Sequence, residues 1–358
     1  MNILVISLAG IGDTLFATPL IHELRANFPA AQIEALVLWG GARDVLESNP
    51  HLNAIHQRNL LSIGYIESLK FLWELRRRRY SASLNTHPQS RMQYRAVAKL
   101  IGAPLRASHE YHHASRFDRL LVNRSLPQDY QRHCIENNLA LLQVLGAKPV
   151  LPGHDYELYL SAAELAWAEG YVASLGLNGR TLLGIHAGSG GTKNLALRRW
   201  PLDNYIELLR RFTQSHSEVT VLIFGGPDEE KANETLVAQA DPARVHRPKT
   251  SSLRHAAALV KQCHLFLSVD TAFMHLAAAM KVPGQVVIET PTWNKPIEPY
   301  QQPFLLVRNP AVAGRNLQYY RYDGRAIQGS PDEILASMAA VRVEAVQEAL
   351  EQALRRRA

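Results

Sequence analysis

A chain of 358 residues is long for one hydrophobic core and comfortable for two domains. Its 47% hydrophobic and 20% charged residues are ordinary globular values and exclude a disordered chain, and the lack of any apolar run of about 18 residues excludes a membrane-spanning helix. The formal net charge of +7 invites a negatively charged partner. No nucleic-acid-binding module is recognisable, so an anionic glycolipid at a membrane surface is the better candidate.

Residues 3–8, Ile3-Leu4-Val5-Ile6-Ser7-Leu8, predict a buried strand. The run is too short for a signal peptide and has no basic leader before it, so the start reads as a strand; the expected cytoplasmic location rests on the two cysteines read as reduced thiols. Ala9-Gly10-Ile11-Gly12-Asp13-Thr14 then makes a tight glycine turn, and Leu15, Leu20, Leu24 and Phe28 mark a helix near 14–27. Two glycines let the backbone approach a ligand closely. The pattern is not the three-glycine dinucleotide fingerprint, because Asp13 and Thr14 stand where another small residue belongs. A carboxylate on this turn suits a base that takes a proton from an attacking hydroxyl, and it equally suits a simple helix cap.

Further strands are expected at 32–38 and 81–85, with a helix near 62–79 that ends in Arg76-Arg77-Arg78-Arg79. Arg355-Arg356-Arg357 closes the chain in the same way. Cations favour helix C-termini in any case, and the same clusters could attach the protein peripherally to an anionic leaflet. The less regular stretch 103–127 holds His109, His112 and His113 and reads as an acceptor-facing loop. It makes a poor metal site, since its only nearby acid is Glu110 and the histidines lack helical spacing. Cys134 and Cys263 lack metal-ligand partners and read as reduced, buried thiols.

Residues 151–178 form the expected connection between a domain at 1–150 and another at 179–340, and 341–358 is expected as a C-terminal helix packing back on the first domain. The second half repeats the alternation, with strands expected at 181–187, 219–225, 265–269 and 285–289 and helices after the first three. Strands separated by helices imply parallel sheets, whose ligands sit at the carboxyl ends of the strands. Asp13, Ser189, Glu229 and Asp270 all fall there.

The most informative stretch is Ser268-Val269-Asp270-Thr271-Ala272-Phe273-Met274-His275. A buried strand stops at a capping pair and a helix begins. The first helical turn carries unpaired N–H groups and the positive dipole end, which attract phosphate. Thr271 offers a hydroxyl and His275 lies one turn on, although Asp270 could serve only as a cap and His275 as a surface histidine. The chain has no Asp-x-Asp pair to hold a divalent metal, so the helix end with Arg198 or Lys193 would have to stabilise a leaving diphosphate.

Together these segments resemble glycosyltransferase family 9, the heptosyltransferases of lipopolysaccharide core assembly. The resemblance rests on Gly10-Ile11-Gly12-Asp13, His186-Ala187-Gly188-Ser189, Arg198-Arg199-Trp200-Pro201, Gly225-Gly226-Pro227-Asp228-Glu229 and Ser268-Val269-Asp270-Thr271 with His275, in the family's order over nearly the whole chain. It implies an α/β GT-B fold, two Rossmann-like domains facing across a cleft. The implied activity is inverting, metal-independent transfer of a heptose from ADP-heptose to a lipopolysaccharide-core acceptor, without a cofactor, on the inner face of the inner membrane. Carried over by position, Asp13 is the base, flanked by Gly12 and Thr14. Arg198 falls where a lysine contacts the diphosphate, Glu229 where the ribose binds and Ser251 near the adenine. Ser189, Asp270, Thr271, Ala272 and His275 line the donor.

Two departures leave donor identity open. Ala272 replaces the usual glycine after Asp-Thr, and a longer loop from Gly188 to Arg199 lets Lys193 compete for the diphosphate. A transferase with another nucleotide sugar or acceptor, or a non-catalytic sugar-nucleotide-binding relative, fits the same motifs. A Rossmann oxidoreductase fits less well, since 36–39 (Leu36-Val37-Leu38-Trp39) ends its strand without an acid.

Overall fold

A computed structural model of the chain describes residues 1–89, 91–111, 117–190, 195–312 and 330–356. Lys193, His112, His113 and Arg357 therefore lie outside the described residues. Among those described, the chain divides into two compact units, one from Met1 to Tyr159 and one from Leu160 onward.

The first unit alternates strands and helices as the sequence pattern predicts. It runs β1 (Asn2–Ser7), α1 (Ile11–Leu15), α2 (Thr18–Asn27), β2 (Gln32–Val37), α3 (Gly40–Leu46), β3 (Ala54–Gln57) and α4 (Tyr65–Arg77). β4 (Ala82–Asn85), α5 (Met92–Ile101), β5 (Leu105–Glu110), α6 (Asp118–Leu121), β6 (Arg124–Pro127) and α7 (Cys134–Ala140) follow. The single helix expected near 14–27 is two helices. Pro19 lacks an N–H and sits in the first turn of α2, where that loss is harmless, so the chain restarts there. The stretch expected as a loop at 103–127 instead supplies β5 and β6. His109 lies on β5, buried, with Nε2 2.8 Å from the Asn137 carbonyl. Both strands carry polar residues, Arg106, Ser108 and His109 on β5 and Arg124 and Ser125 on β6, and lie toward the sheet edge, so periodicity was faint.

The second unit runs α8 (Ala162–Ser174), β7 (Thr181–His186), α9 (Leu202–Ser215), β8 (Val219–Phe224), α10 (Glu230–Ala238), β9 (Val245–His246) and α11 (Leu253–Gln262). β10 (Leu265–Ser268), α12 (Ala272–Ala279), β11 (Gly284–Ile288), β12 (Phe304–Val307), α13 (Pro331–Ala339) and α14 (Val343–Arg355) complete it. Ser161 caps α8 and Glu164 reaches back to its N–H at 2.7 Å, a reciprocal box that fixes the helix start. Val343, Val346, Ala349, Leu350 and Ala353 of α14 pack into the second unit's core beside Trp200, Phe212 and Val286. The expectation that this helix packs back on the first domain is corrected accordingly, since its apolar stripe closes the core that α9 and β11 leave open.

Each unit holds a six-stranded parallel sheet, ordered β3-β2-β1-β4-β5-β6 and β12-β11-β10-β7-β8-β9. Counting strands within each unit, both follow the doubly wound order 3-2-1-4-5-6. The order reverses beside β1 and β4 in one sheet, and beside β7 and β10 in the other. The crevice at such a reversal, at the carboxyl ends, is where open parallel sheets bind ligands.

Burial depresses several histidines of the first unit. His109 is driven down to about 4 by burial, and so is His51, which the neighbouring His22 and Arg25 push further. His87 lies well below its ordinary value from burial and from His109 and His133. An unfolded chain protonates these rings near pH 6.5 and the folded chain only lower, so their stability is fully present above about 6.5 and is lost as pH falls toward about 4. Urea midpoints measured from pH 7 to 4 should fall steadily across that window. A flat profile down to pH 4.5 would show that the buried rings accept protons without penalty.

Candidate active site

In the first unit the chain leaves β1 and turns through Gly10 into α1. The Gly10 N–H donates to Asp13 Oδ2 at 2.6 Å, so the carboxylate reaches back over the turn from the third helical position. A Cβ on Gly10 would lie 3.0 Å from that oxygen, so a larger residue would push the carboxylate off the turn by a few tenths of an ångström. Asp13 is thus not the N-cap residue but holds the cap together. Thr14 Oγ1 donates to the Gly10 carbonyl at 3.1 Å and lies 3.4 Å from Ser7 Oγ. Gly12 is buried inside α1, and Trp39 Nε1 ties the Ala9 carbonyl at 2.8 Å. Asp13 is only half-buried, and its charge is felt nearby. Burial raises the Tyr94 hydroxyl and the Cys134 thiol, and Asp13 raises both further.

In the second unit the ends of β7, β8, β10 and β11 bring together a larger polar cluster. Asp270 follows β10 and is 3% exposed. Its Oδ2 accepts from Arg198 Nη1 at 3.0 Å and from Thr292 Oγ1 at 2.8 Å, and its Oδ1 accepts from Thr290 Oγ1 at 2.9 Å. Arg198 ends the short turn Leu195–Arg198 and also donates to Thr292 Oγ1 at 3.2 Å. Sequence reasoning gave Arg198 to the diphosphate and placed Asp270 along the donor, with a helix cap as its alternative. The geometry pairs them with each other.

His186, the last residue of β7, joins the other members. Its Nδ1 lies 3.0 Å from Thr271 Oγ1 and its Nε2 3.2 Å from Glu229 Oε2, while its ring stacks on Phe273 at 4.4 Å. A carboxylate only accepts, so Nε2 carries a proton, and in the neutral ring Nδ1 accepts the Thr271 hydroxyl. The hydroxyl expected to face a ligand is therefore turned to His186, and Thr271 makes no side-chain cap at α12. Glu229 Oε2 also accepts from the Gly226 N–H at 2.8 Å. Burial pushes the Glu229 carboxyl up, but His186, that N–H and the Arg199 charge outweigh it and leave it below the usual range. Gly188 is required here, because a Cβ would stand 1.7 Å from Glu229 Oε1.

The remaining expectations divide. Ser189 is buried and its Oγ donates to the Leu195 carbonyl at 2.8 Å, while its own carbonyl accepts from Arg199 Nη2 at 2.8 Å. Arg199 is the cation with the more open side chain, 31% exposed against 10% for Arg198. Ala272 opens α12 and is half-buried. His275 is not a surface histidine: it is 4% exposed within α12, as buried as Asp270 and Thr271. Ser251 is exposed before α11, with its Oγ 2.6 Å from His255 Nδ1. His186, Thr290 and Thr292 were missed as site residues. The available signal was a polar run, Glu289-Thr290-Pro291-Thr292, directly after a buried strand.

One further group among the described residues has metal-ligand composition, His22, His51 and Glu157. The two rings stack at 3.8 Å with planes 14° apart, and Glu157 is 2.6 Å from His22 Nδ1. A bound ion must lie in the plane of each ligating ring, and nearly parallel rings offer no common point, so this arrangement is a hydrogen-bonded cluster.

The family model described as "Glycosyltransferase family 9 (heptosyltransferase)" matches residues 68–319, well over half of the chain. The chain belongs to glycosyltransferase family 9. Among curated relatives it is 24% identical over 287 residues to lipopolysaccharide heptosyltransferase 3 of Escherichia coli, covering 76% of this chain and 78% of that one. Among solved structures it is similar to the family 9 glycosyl transferase of Veillonella parvula, with a TM-score of 0.77, 20% identity, and 99% and 97% of the two chains covered. The E. coli heptosyltransferase WaaC with ADP gives a TM-score of 0.71 at 18% identity, with 99% and 100% covered. These likenesses establish the GT-B fold, and the family establishes a glycosyltransferase. In this family 9 chain both polar clusters lie at the strand-order reversals.

The Arg198–Asp270 pair generates a direct stability test. Asp270→Ala leaves a buried guanidinium without its counter-charge, which should cost about 3–5 kcal/mol. Urea unfolding of the full chain measures it. A cost below about 1 kcal/mol would mean the pair is solvated in the folded protein.

Proposed function

We propose that this family 9 member is an inverting, metal-independent transferase that moves a heptose from ADP-heptose to a hydroxyl of a lipopolysaccharide-core or related glycan acceptor. The observation that carries the reading is the Asp13 carboxylate, held by a backbone N–H at the strand-order reversal of one unit, while the corresponding reversal of the other unit is lined by arginines and a helix start. The first unit is read as the acceptor-binding half and the second as the nucleotide-sugar half.

Displacing a diphosphate from an anomeric carbon forms one carbon–oxygen bond and breaks another. The acceptor oxygen attacks, its proton passes to Asp13, and the electron pair leaves on the diphosphate. One carboxylate suffices for inversion, since attack comes from the face opposite the leaving group. The leaving charge is met by the first-turn amides of α12 and by a cation. Arg198 is already paired with Asp270, so Arg199, more open, suits direct contact while Arg198 acts as a positioning residue. Glu229, oriented by His186, is the acceptor group suited to ribose hydroxyls.

Asp13→Asn should lose about 10²–10⁴-fold in turnover with unchanged donor affinity, because a positioned general base contributes about that much. Asparagine still accepts from the Gly10 N–H, so the melting temperature should hold. A folded Asp13→Asn enzyme with near-wild-type turnover would end the base assignment. Nuclear magnetic resonance of the product anomer tests inversion, and unchanged rates in excess EDTA test metal independence.

The two arginines should separate kinetically. Arg199→Ala is expected to raise the donor KM with little change in stability. Arg198→Ala should lower stability as well as turnover, since it strands the Asp270 carboxylate. Equal kinetic effects with no loss of stability from either would return Arg198 to the diphosphate.

A further inference from the structure

α4 of the first unit buries one side and leaves an unusual second one. Leu72 and Leu75 enter the core beside Leu4, Tyr80 and Ile101. At about 100° per residue, Tyr65, Ile66, Leu69 and Trp73 form a neighbouring stripe. That stripe faces water, with Tyr65 92%, Ile66 70%, Leu69 54% and Trp73 62% exposed. Leu61, 74% exposed, precedes it, and Leu100 of α5 joins Leu69, Leu72 and Trp73 around a shallow depression. Among the described residues, five of the thirteen exposed large apolar side chains thus fall between Leu61 and Trp73, which makes this a patch rather than scatter.

The stripe ends in cations. The Arg76 guanidinium lies 5.8 Å from the Trp73 ring centroid and donates to the Leu100 carbonyl at 3.0 Å. Arg78 turns inward to Glu34 at 2.8 Å, so the four-arginine run is not uniformly outward. Arg77 and Arg79 are exposed and have no carboxylate partner among the described residues. The acids of α4, Glu67 and Glu74, fall on the side of the helix roughly opposite the stripe, and Glu67 is paired with Lys70 at 2.7 Å.

We propose that this face of α4 docks the protein on a bilayer surface rich in anionic lipid. Leu69, Trp73, Ile66 and Tyr65 enter the boundary between headgroups and acyl chains, and Arg76, Arg77 and Arg79 lie against headgroup phosphates. Aromatic rings with a polar edge favour that boundary, and an apolar stripe flanked by cations is the pattern of a helix lying in it. Charge selects this occupant over a second copy of the chain. A second copy would present the same cations and no anion to meet them, whereas an anionic surface attracts them.

The experiment uses the full chain, without donor or acceptor, so its result does not depend on the transfer reading. Co-sedimentation is measured with vesicles of phosphatidylcholine alone and of phosphatidylcholine with phosphatidylglycerol. Binding should require phosphatidylglycerol and weaken with salt. Leu69→Ser with Trp73→Ser should lower partitioning at least about tenfold, as two large apolar contacts are lost. Arg77→Glu with Arg79→Glu should remove the dependence on phosphatidylglycerol, and both variants should melt like the parent because these side chains are exposed. Variants that bind such vesicles as the parent does would overturn the proposal, and so would a parent that fails to bind. A concentration-dependent dimer lost on Trp73→Ser would assign the face to a second copy instead and overturn it too.

Discussion

The second unit depends on one buried ion pair, Arg198 with Asp270. It ties three separate segments: the turn before α9, the corner between β10 and α12, and the loop after β11 through Thr290 and Thr292. Burying two charges is costly, and attraction offsets the cost only when the remaining oxygens find donors. Both Asp270 oxygens find them. A pair in this state adds little net stability compared with an apolar replacement, but it leaves few other arrangements for three chain segments whose order in the sequence spans 195–292. The cluster therefore fixes where the first turn of α12 points, and every other feature of this site is arranged around that turn.

Much of the architecture was legible because buried parallel strands leave dense apolar runs. The strands β1, β2, β4, β7, β8, β10 and β11 were readable, as was the alternation that implies parallel sheets. β3, β5, β6, β9 and β12 were not. β3, β6, β9 and β12 span four residues or fewer, and β3, β5 and β6 carry polar residues such as His56, Arg106, Ser108 and Arg124, so periodicity was faint. The break between α1 and α2 had a visible cause in Pro19, but a proline in a first turn and a proline in a helix interior look alike until the start of the helix is known.

The site was legible at the level of position and opaque at the level of partnership. Glycines and polar residues following apolar runs marked the carboxyl ends of strands, so Asp13, Glu229 and Asp270 could be named from spacing alone. Which of them meet depends on strand order, and order is not written locally. Arg198 and Asp270 are 72 residues apart, and His186 reaches Glu229 43 residues away. Spacing also left His275 open between the mouth and the surface, and its burial in α12 removes the surface alternative.

The two units share one strand order and put opposite chemistry at the same topological place. In the first, a carboxylate bends back onto the turn after β1. In the second, the turn after β10 also carries a carboxylate, but Arg198 neutralises it. That difference matters for any anion approaching α12. An unpaired Asp270 at the helix start would oppose the dipole, since a unit charge a few ångströms away outweighs the half-charge of a helix end. With Arg198 in place the two charges offset each other locally, and the positive end of the helix is restored. Thr271 contributes by omission. Its hydroxyl is turned to His186, so it does not cap α12, and the first-turn amides are left to an acceptor from elsewhere. On the proposed reading, Arg198 and His186 would act on a donor through the residues beside them, one by removing a repulsion and the other by withdrawing a competing hydroxyl.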